Sequence, residues 1–221
     1  IKWLDWGPDN YAGVTWSNIG DRPLMIGWMS NWQYANEVPT TGWRSSTTIP
    51  RVLSLEKVGQ SFYVVSTVPK EIETAFRPLK KYHDVGAKEV SFEEHLPQAY
   101  RLDLKTLKQQ AFKVILSNES GDEVVIGYRE DQNAYYIDRA KSGKVSFNSE
   151  FAKTALAQRL LNNGTLSFSL YVDVSSVELF AGGGLTVMTS LFFPNKPITK
   201  IRIVGDKKLQ FPELSIAEFK K

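Results

Sequence analysis

The sequence predicts an all-β protein, because its apolar residues fall mainly into short runs with a period of two. In the run 166–174 (LSFSLYVDV), every second residue from Leu166 to Val174 is apolar and can face one side of a sheet. Turn-forming residues separate such runs at short intervals, which is typical of β-sandwiches and β-barrels. One stretch, 149–161 (SEFAKTALAQRLL), has helical spacing with Ser149 as a candidate cap, although an irregular excursion between strands explains it equally well.

Further strands follow from the same alternation and from the turns between runs. Residues 61–68 (SFYVVSTV) alternate, and residues 111–131 divide into two strands at a polar turn that contains Gly121. Residues 177–193 predict a hairpin whose turn contains Gly182–Gly184, and residues 200–219 predict two or three short strands. Near the start, residues 12–18 and 22–31 predict neighbouring strands joined by a turn.

The tryptophans divide the chain into two regions. All six lie in the first 43 residues of the 221, which is a sharp shift in composition: Trp3, Trp6, Trp16, Trp28, Trp32 and Trp43. We therefore predict a first domain over residues 1–55 and a second, a β-sandwich, over residues 56–221.

Composition excludes several classes of function. The chain has 27 basic and 24 acidic residues, and a net charge of +3 is too small to indicate a nucleic-acid partner or an anionic membrane. No apolar run approaches the ~20 residues that cross a bilayer, so we expect no membrane insertion. The chain has no cysteine, and His83 and His95 lie in polar surroundings, where we expect ordinary surface residues. We expect neither a metal nor an organic cofactor.

Carboxylates close to aromatic residues remain, and these are the groups with which proteins bind sugars. The stretch 5–18 (DWGPDNYAGVTWSN) contains Asp5 and Asp9. It has two interpretations: a turn in which Asp9 or Asn10 caps its own backbone, or the edge of a sugar site. Trp28 is likewise either a core residue or a stacking platform. A second acidic pair, Asp173 and Glu178, is predicted to cap a turn and to be solvated.

Four segments carry a resemblance to a known family: 4–18 (LDWGPDNYAGVTWSN), 21–55 (DRPLMIGWMSNWQYANEVPTTGWRSSTTIPRVLSL), 135–143 (YYIDRAKSG) and 170–194 (LYVDVSSVELFAGGGLTVMTSLFFP). In this order they resemble glycoside hydrolase family 32, the invertases, exo-inulinases and levanases that act on β-fructofuranosides. The resemblance implies a remnant of a five-bladed β-propeller followed by a concanavalin-like or jelly-roll-like β-sandwich. It also implies a fructan or sucrose-type carbohydrate as substrate, and secretion or a periplasmic location.

The resemblance places the catalytic acids outside this chain. The family's nucleophilic Asp lies in W-M-N-D-P-N-G, its stabilising Asp in R-D-P and its acid/base Glu in E-C, and none of these strings occurs here. We therefore expect all three upstream of Ile1, no catalytic residue in this chain, and no activity from the chain alone. Missing propeller segments or another copy of the chain are expected to cover Trp3, Trp16 and Trp28, unless the first region packs back onto the sandwich.

The resemblance assigns more limited roles to residues that are present. Trp28 corresponds to a tryptophan that lines the fructose pocket, and Asp9 and Tyr11 lie close to that pocket. Arg44 and Arg51 correspond to residues that order the last blade. Two alternatives stay open: a stand-alone carbohydrate-binding module, and a structural accessory domain that supports the propeller.

Overall fold

A computed structural model describes residues 2–93, 96–161 and 163–220. Over these residues the chain is almost entirely β, which confirms the predicted fold class. It forms fifteen strands, a one-turn helix α1 (Lys70–Glu73) and a 3-10 turn (Gly182–Gly184). The strands are β1 (Tyr11–Thr15), β2 (Leu24–Met29), β3 (Ser46–Thr47), β4 (Arg51–Val58), β5 (Ser61–Thr67), β6 (Phe76–Phe92), β7 (Tyr100–Lys105), β8 (Phe112–Ser117), β9 (Glu123–Arg129), β10 (Ala134–Lys141), β11 (Ala155–Gln158), β12 (Ser167–Asp173), β13 (Ser176–Ala181), β14 (Thr186–Leu191) and β15 (Lys200–Phe219).

The first five strands form one antiparallel sheet in the order β1-β2-β4-β5, with the short β3 paired to β2. The predicted neighbouring strands at the start of the chain are β1 and β2, and Tyr11 lies opposite Trp28 in their register. The hairpin of β4 and β5 turns at Gly59, whose φ of 60° suits glycine. Strand β5 therefore belongs to the first sheet. The domain division at residues 55 and 56 stays a prediction, and the strand pairing favours a division after Thr67.

The other ten strands form the predicted β-sandwich. The long strands β6 and β15 pair with each other and run through both halves of the sandwich. The first part of β15 pairs with β8, and its last part pairs with β7. A register break between Val204 and Leu209 marks the place where the strand passes from one half to the other. Leu102, Val114, Ile126, Leu170 and Leu214 are among the buried residues between the halves.

The structure corrects the prediction for residues 200–219, excludes the helical interpretation of residues 149–161, and confirms two hairpins. Residues 200–219 form one long strand instead of two or three, because β6 pairs with them on both sides of the register break. The helical spacing in 149–161 does not produce a helix, since Ala155–Gln158 pair with β10 and Ala157 is fully buried against the core. The hairpins β8–β9 and β13–β14 form where they are predicted, and all three glycines of the second turn have positive φ.

The first sheet packs against the outward face of β13 and β14. Two small apolar clusters lie in this junction. Tyr171, Phe180 and Val187 of the sandwich contact Ile49 and Val68. Met29, Tyr34 and Val38 pack against sandwich residues in the other cluster: Phe151, Leu191 and Phe193. Part of the first region thus packs back onto the sandwich. Trp3 and Trp16 are not covered by this packing and stay exposed. Neither helix in the described ranges has the length and apolar character that a membrane crossing requires.

Candidate functional site

The segment Asp5–Asn10 lies along the free edge of β14. It is the first part of the stretch 5–18, for which the sequence leaves a turn and the edge of a sugar site as alternatives. The Trp6 N–H donates to the Val187 carbonyl at 2.8 Å, and the Asp9 N–H donates to the Thr189 carbonyl at 3.3 Å. Gly7 permits this approach, because a Cβ at that position would lie 2.1 Å from the Thr189 carbonyl oxygen. The segment therefore joins the sandwich edge instead of projecting from the first sheet.

Asp9 lies in a buried cluster between the two sheets. Its Oδ2 accepts hydrogen bonds from Arg139 Nη1 at 2.6 Å and from the Leu191 N–H at 2.8 Å, and its Oδ1 accepts one from the Tyr34 hydroxyl. Arg139 also donates through Nη2 to the Tyr34 oxygen at 2.8 Å, and its guanidinium stacks 3.8 Å from the Phe151 ring centroid. Burial, then the negative charge of Asp9, raises the pKa of Tyr34, so the phenol stays a neutral donor.

Asp5 anchors a second buried cluster around Arg51. Arg51 Nη2 lies 2.8 Å from Asp5 Oδ2 and 2.9 Å from Glu178 Oε2. Thr189 donates to Asp5 through both its N–H (2.9 Å) and its hydroxyl (2.7 Å), and the Ile49 N–H donates to Glu178 at 2.7 Å. Each cluster thus pairs groups from the first sheet region with groups from the sandwich.

The two carboxylates that share Arg51 have pKa values shifted in opposite directions. Burial alone would raise the pKa of Asp5, but Arg51 and hydrogen bonds from Thr189, Asn10 and Gly7 lower it below its ordinary value. Burial raises the pKa of Glu178, and Arg51 offsets only part of this effect. One arginine therefore stabilises the charge of Asp5 more fully than that of Glu178.

The geometry changes three of the assignments made from the sequence. Asp9 does not cap its own turn, since its carboxylate binds Arg139 and Tyr34; Asp5 caps the turn through the Gly7 N–H at 2.8 Å. Asp9 is also 0% exposed, so the residue predicted to bind substrate has no surface that a sugar could touch. Glu178 is buried in an ion pair instead of capping a turn in solvent, whereas Asp173 accepts from the Val174 N–H as expected.

The other two predicted substrate-binding residues form an aromatic cluster. Trp28 on β2 is half-buried and meets Tyr11 on β1 edge to face, with ring centroids 6.3 Å apart. Trp32 lies 5.0 Å from Trp28 and is 66% exposed, while Tyr11 is 55% exposed. Such exposed indole and phenol faces can stack against the C–H face of a sugar ring. We call Tyr11, Trp28 and Trp32 the aromatic cluster.

Hydrogen bonds fix the backbone beneath the aromatic cluster. The Gly27 N–H donates to the Thr48 hydroxyl at 3.0 Å, and the Asn31 side chain donates to the Pro8 carbonyl at 2.9 Å. The Asn10 amide donates to Asp5 at 3.1 Å and lies against Gly27, where a Cβ would come within 2.0 Å of its oxygen. The aromatic cluster is therefore connected to the Asp5 anchor through one side chain.

Sequence reasoning missed Trp32, Tyr34 and Arg139. A usable signal for Arg139 was a charged residue inside the apolar run YYIDRA, since a charge in a buried strand needs a partner. Arg51 is buried and structural, in line with its predicted ordering role, and Arg44 donates to the Asn36 carbonyl on the surface. Within the described ranges, no three His, Asp or Glu side chains are grouped as a metal site would need. His83 is exposed on β6, and His95 lies outside the described residues.

Comparison with known proteins gives a consistent family match. The family description "Glycosyl hydrolases family 32 C terminal" matches residues 70–218, and "Glycosyl hydrolases family 32 N-terminal domain" matches residues 1–66. A levanase from Bacillus subtilis (strain 168) is 35% identical over 211 residues, covering 89% of this chain and 31% of the levanase. An extracellular exo-inulinase from Aspergillus ficuum is 32% identical over 218 residues, covering 92% of this chain and 40% of that protein.

Solved structures agree with these sequence matches. The exo-inulinase from Aspergillus awamori superposes with a TM-score of 0.89 at 26% identity, over 99% of this chain and 44% of that one. A fructofuranosidase from Schwanniomyces occidentalis complexed with fructosylnystose gives a TM-score of 0.85 at 25% identity, over 99% and 49%. The chain thus spans less than half the length of each of these relatives.

Proposed function

This chain belongs to glycosyl hydrolase family 32, and we propose that it is the C-terminal portion of a retaining β-fructofuranosidase. Its substrate would be a fructan such as levan or inulin, or sucrose. The observation that carries this proposal is the aromatic cluster, whose Tyr11 and Trp32 side chains are exposed. The cluster lies on a sheet that buried ion pairs attach to the sandwich. The levanase and exo-inulinase relatives support the same substrate class.

We propose that the catalytic acids come from propeller segments outside this chain. The chain covers only 31% and 40% of two curated relatives, and the three acidic motifs of the family do not occur in its sequence. In the complete enzyme, an Asp would attack the anomeric carbon, while a Glu protonates the leaving oxygen and then activates water. The chain alone would then release no fructose.

In this proposal the chain supplies part of the wall of the sugar site. Trp28 and Tyr11 would contact the sugar, and Asp9 would act as a positioning residue, because it ties the backbone two residues before Tyr11 to Arg139. Trp3 and Trp16 are 59% and 45% exposed, and the remaining propeller segments or another copy of the chain would cover them. The relative named as an extracellular exo-inulinase supports a secreted or periplasmic location.

A stand-alone carbohydrate-binding or structural accessory module is the second candidate. One observation favours it: the side chains of Tyr11 and Trp32 are exposed in this chain and contact the Trp28 ring, Tyr11 edge to face and Trp32 at a tilt, without help from another chain. A module of this kind would bind fructan oligosaccharides and would show no contribution to hydrolysis when joined to a propeller.

A chimera tests the proposal. The part of the Bacillus subtilis levanase that aligns with this chain is replaced by this chain, and fructose release from levan is measured for the chimera and for the chain alone. We expect an active chimera, an inactive chain, and a chimera impaired by Trp28→Ala. Release of fructose by the chain alone would contradict the missing acids. A chimera that unfolds cooperatively but has no activity would favour the accessory module.

A further inference from the structure

The sequence contains a single Asn–Gly pair, Asn163–Gly164, which lies in the loop between β11 and β12. An asparagine in this position loses its side-chain amide readily, because glycine has no side chain that hinders the approach of its nitrogen to the amide carbon. Both residues are exposed, and the Gly164 N–H has no hydrogen-bond acceptor among the described residues. The loop therefore leaves both the attacking nitrogen and the amide accessible to water.

A buried arginine binds both carbonyl groups of Asn163. Arg159 is 4% exposed, and its Nη2 donates to the Asn163 side-chain oxygen at 2.6 Å and to the Asn163 main-chain oxygen. It also donates to the Thr165 carbonyl at 3.1 Å. These acceptors are neutral, and no ion pair joins Arg159 to a carboxylate of the described ranges. Arg51 and Arg139, which are also buried, each have such a partner, so Arg159 lacks the counter-charge that a buried charge normally needs.

We propose that Asn163 is a site of spontaneous deamidation, and that the carboxylate formed there becomes the ion-pair partner of Arg159. In the first step the Gly164 nitrogen bonds to Cγ of Asn163, the Cγ–Nδ2 bond breaks, and ammonia leaves with the Gly164 amide proton. In the second step water opens the resulting cyclic imide at one of its two carbonyls, and the proton of that water returns to the nitrogen. The Arg159 guanidinium stabilises the negative charge that develops on Oδ1 during the first step.

Both possible products bring a carboxylate to Arg159. Attack of water at Cγ gives aspartate, whose carboxylate includes Oδ1, and attack at the main-chain carbon gives isoaspartate, whose carboxylate includes the former main-chain oxygen. Arg159 Nη2 already donates to each of these two oxygens. A hydrogen bond to a charged acceptor is roughly twice as strong as one between neutral groups. Deamidation should therefore strengthen the attachment of this loop to Arg159.

Asn148, which precedes Ser149, provides an internal comparison with the opposite electrostatics. Its side-chain nitrogen donates to the Glu37 carboxylate at 2.9 Å, and its side-chain oxygen accepts from the Glu150 N–H at 2.8 Å. A carboxylate at this position would lose the hydrogen bond to Glu37 and repel its charge. The surroundings of Asn148 therefore oppose the change that the surroundings of Asn163 favour.

Incubation of the whole chain in mildly alkaline buffer, followed by peptide mapping with mass spectrometry, tests the site. We expect the Asn163 peptide of the folded chain to show the mass of an amide-to-acid exchange, as aspartate and isoaspartate, before any change at Asn148. Gly164→Ala should abolish this conversion, because the added methyl group hinders the nitrogen. It should keep the fold, since no heavy atom lies within 4 Å of the new Cβ. An Asn163 peptide that stays unchanged in the folded chain, while the urea-denatured chain is converted, would overturn the proposal.

Thermal unfolding tests the pairing with Arg159. Asn163→Asp should raise the thermal midpoint at neutral pH by about 2–4 °C, the shift that one strengthened hydrogen bond produces in a chain of this size. This gain should be lost as pH falls below about 3.9, where the new carboxylate is protonated. Asn148→Asp should lower the midpoint, and in the Arg159→Gln background Asn163→Asp should give no gain. A midpoint that Asn163→Asp leaves unchanged or lowers, or an equal gain in the Arg159→Gln background, would contradict the pairing.

Discussion

The Arg139 guanidinium lies 2.6 Å from the Asp9 carboxylate, although the two residues are 130 positions apart in the chain. Both side chains are buried, and the bond joins the first sheet region to strand β10 of the sandwich. The similar contact of Arg51 with Asp5 and Glu178 lies elsewhere in the same junction. The acidic pair at the start of the chain therefore holds the two sheets together.

Asp9→Ala should lower the free energy of unfolding by about 3–5 kcal/mol, because it leaves the Arg139 charge buried without its carboxylate. Urea denaturation followed by tryptophan fluorescence measures this change. Glu119→Gln is the matched control, since it breaks an exposed ion pair with Lys196 and should change stability by at most about 1 kcal/mol. Equal effects of the two substitutions would show that the buried Asp9–Arg139 pair contributes no more to the free energy of unfolding than an exposed ion pair does.

Stability should depend on pH in two opposing steps. The raised pKa of Glu178 means that the folded chain binds this proton more readily than the unfolded chain, so stability should rise as pH falls from neutral toward the ordinary value of 4.5. The lowered pKa of Asp5 means that its contribution is lost as pH falls below 3.8.

Glu178→Gln isolates the first of these steps. It should abolish the rise in stability on mild acidification, and at neutral pH it should lower stability by about 1 kcal/mol or less, because Asp5 still neutralises Arg51. Asp5→Asn should lower it by about 3 kcal/mol or more under the same conditions. Urea midpoints over a pH series give the change in stability on acidification and the loss of stability at neutral pH. A monotonic fall of stability from neutral pH in the unmodified chain would refute the raised pKa of Glu178.

Gly7→Ala should loosen the attachment of the N-terminal segment to β14. The added Cβ would lie 2.1 Å from the Thr189 carbonyl oxygen, and we expect a loss of about 1–3 kcal/mol as the backbone moves away. Gly13→Ala is the control, because its nearest neighbour is the flexible Met25 side chain at 3.2 Å. Thermal unfolding of both variants checks the difference, and an undisturbed Gly7→Ala protein would mean that the segment does not lie along β14.

Trp32→Ala should affect sugar recognition without affecting the fold. The side chain is 66% exposed, so its removal should change stability by at most about 0.5 kcal/mol, while loss of a stacking face should lower kcat/KM of the levanase chimera about five-fold. Trp43→Ala, which truncates a 48% exposed tryptophan outside the aromatic cluster, should leave kcat/KM unchanged. Equal losses in the two variants would exclude a specific role for Trp32.

Local patterns predicted the strands well and the tertiary partners poorly. The alternation around Leu170 and the glycines at 182–184 place β12 and the β13–β14 hairpin correctly, because period and turn chemistry are local properties. The spacing around Ala155 suggested a helix, and pairing with β10 overrode it. Residues 200–219 form the single strand β15 where two or three short strands are predicted, because no local pattern shows that β6 pairs with them on both sides of the register break.

The candidate site shows the same contrast between what can be predicted from the sequence and what depends on tertiary partners. Trp28 and Tyr11 were found through the family resemblance, and both lie in the aromatic cluster. The same resemblance places Asp9 close to the sugar pocket, and its contact with a sugar stays a prediction. The bond between Asp9 and Arg139 could not be predicted, because the two residues are too distant in sequence for local patterns to connect them. Glu178 was misjudged for the same reason, because its partner Arg51 lies 127 positions earlier.

Differential scanning calorimetry of the unmodified chain tests the central claim, that buried ion pairs make the first sheet and the sandwich one cooperative unit. We expect a single transition in which the calorimetric and van't Hoff enthalpies agree. Asp9→Ala should lower that transition or split it. Two separate transitions in the unmodified chain, or an unchanged profile for Asp9→Ala, would contradict the claim.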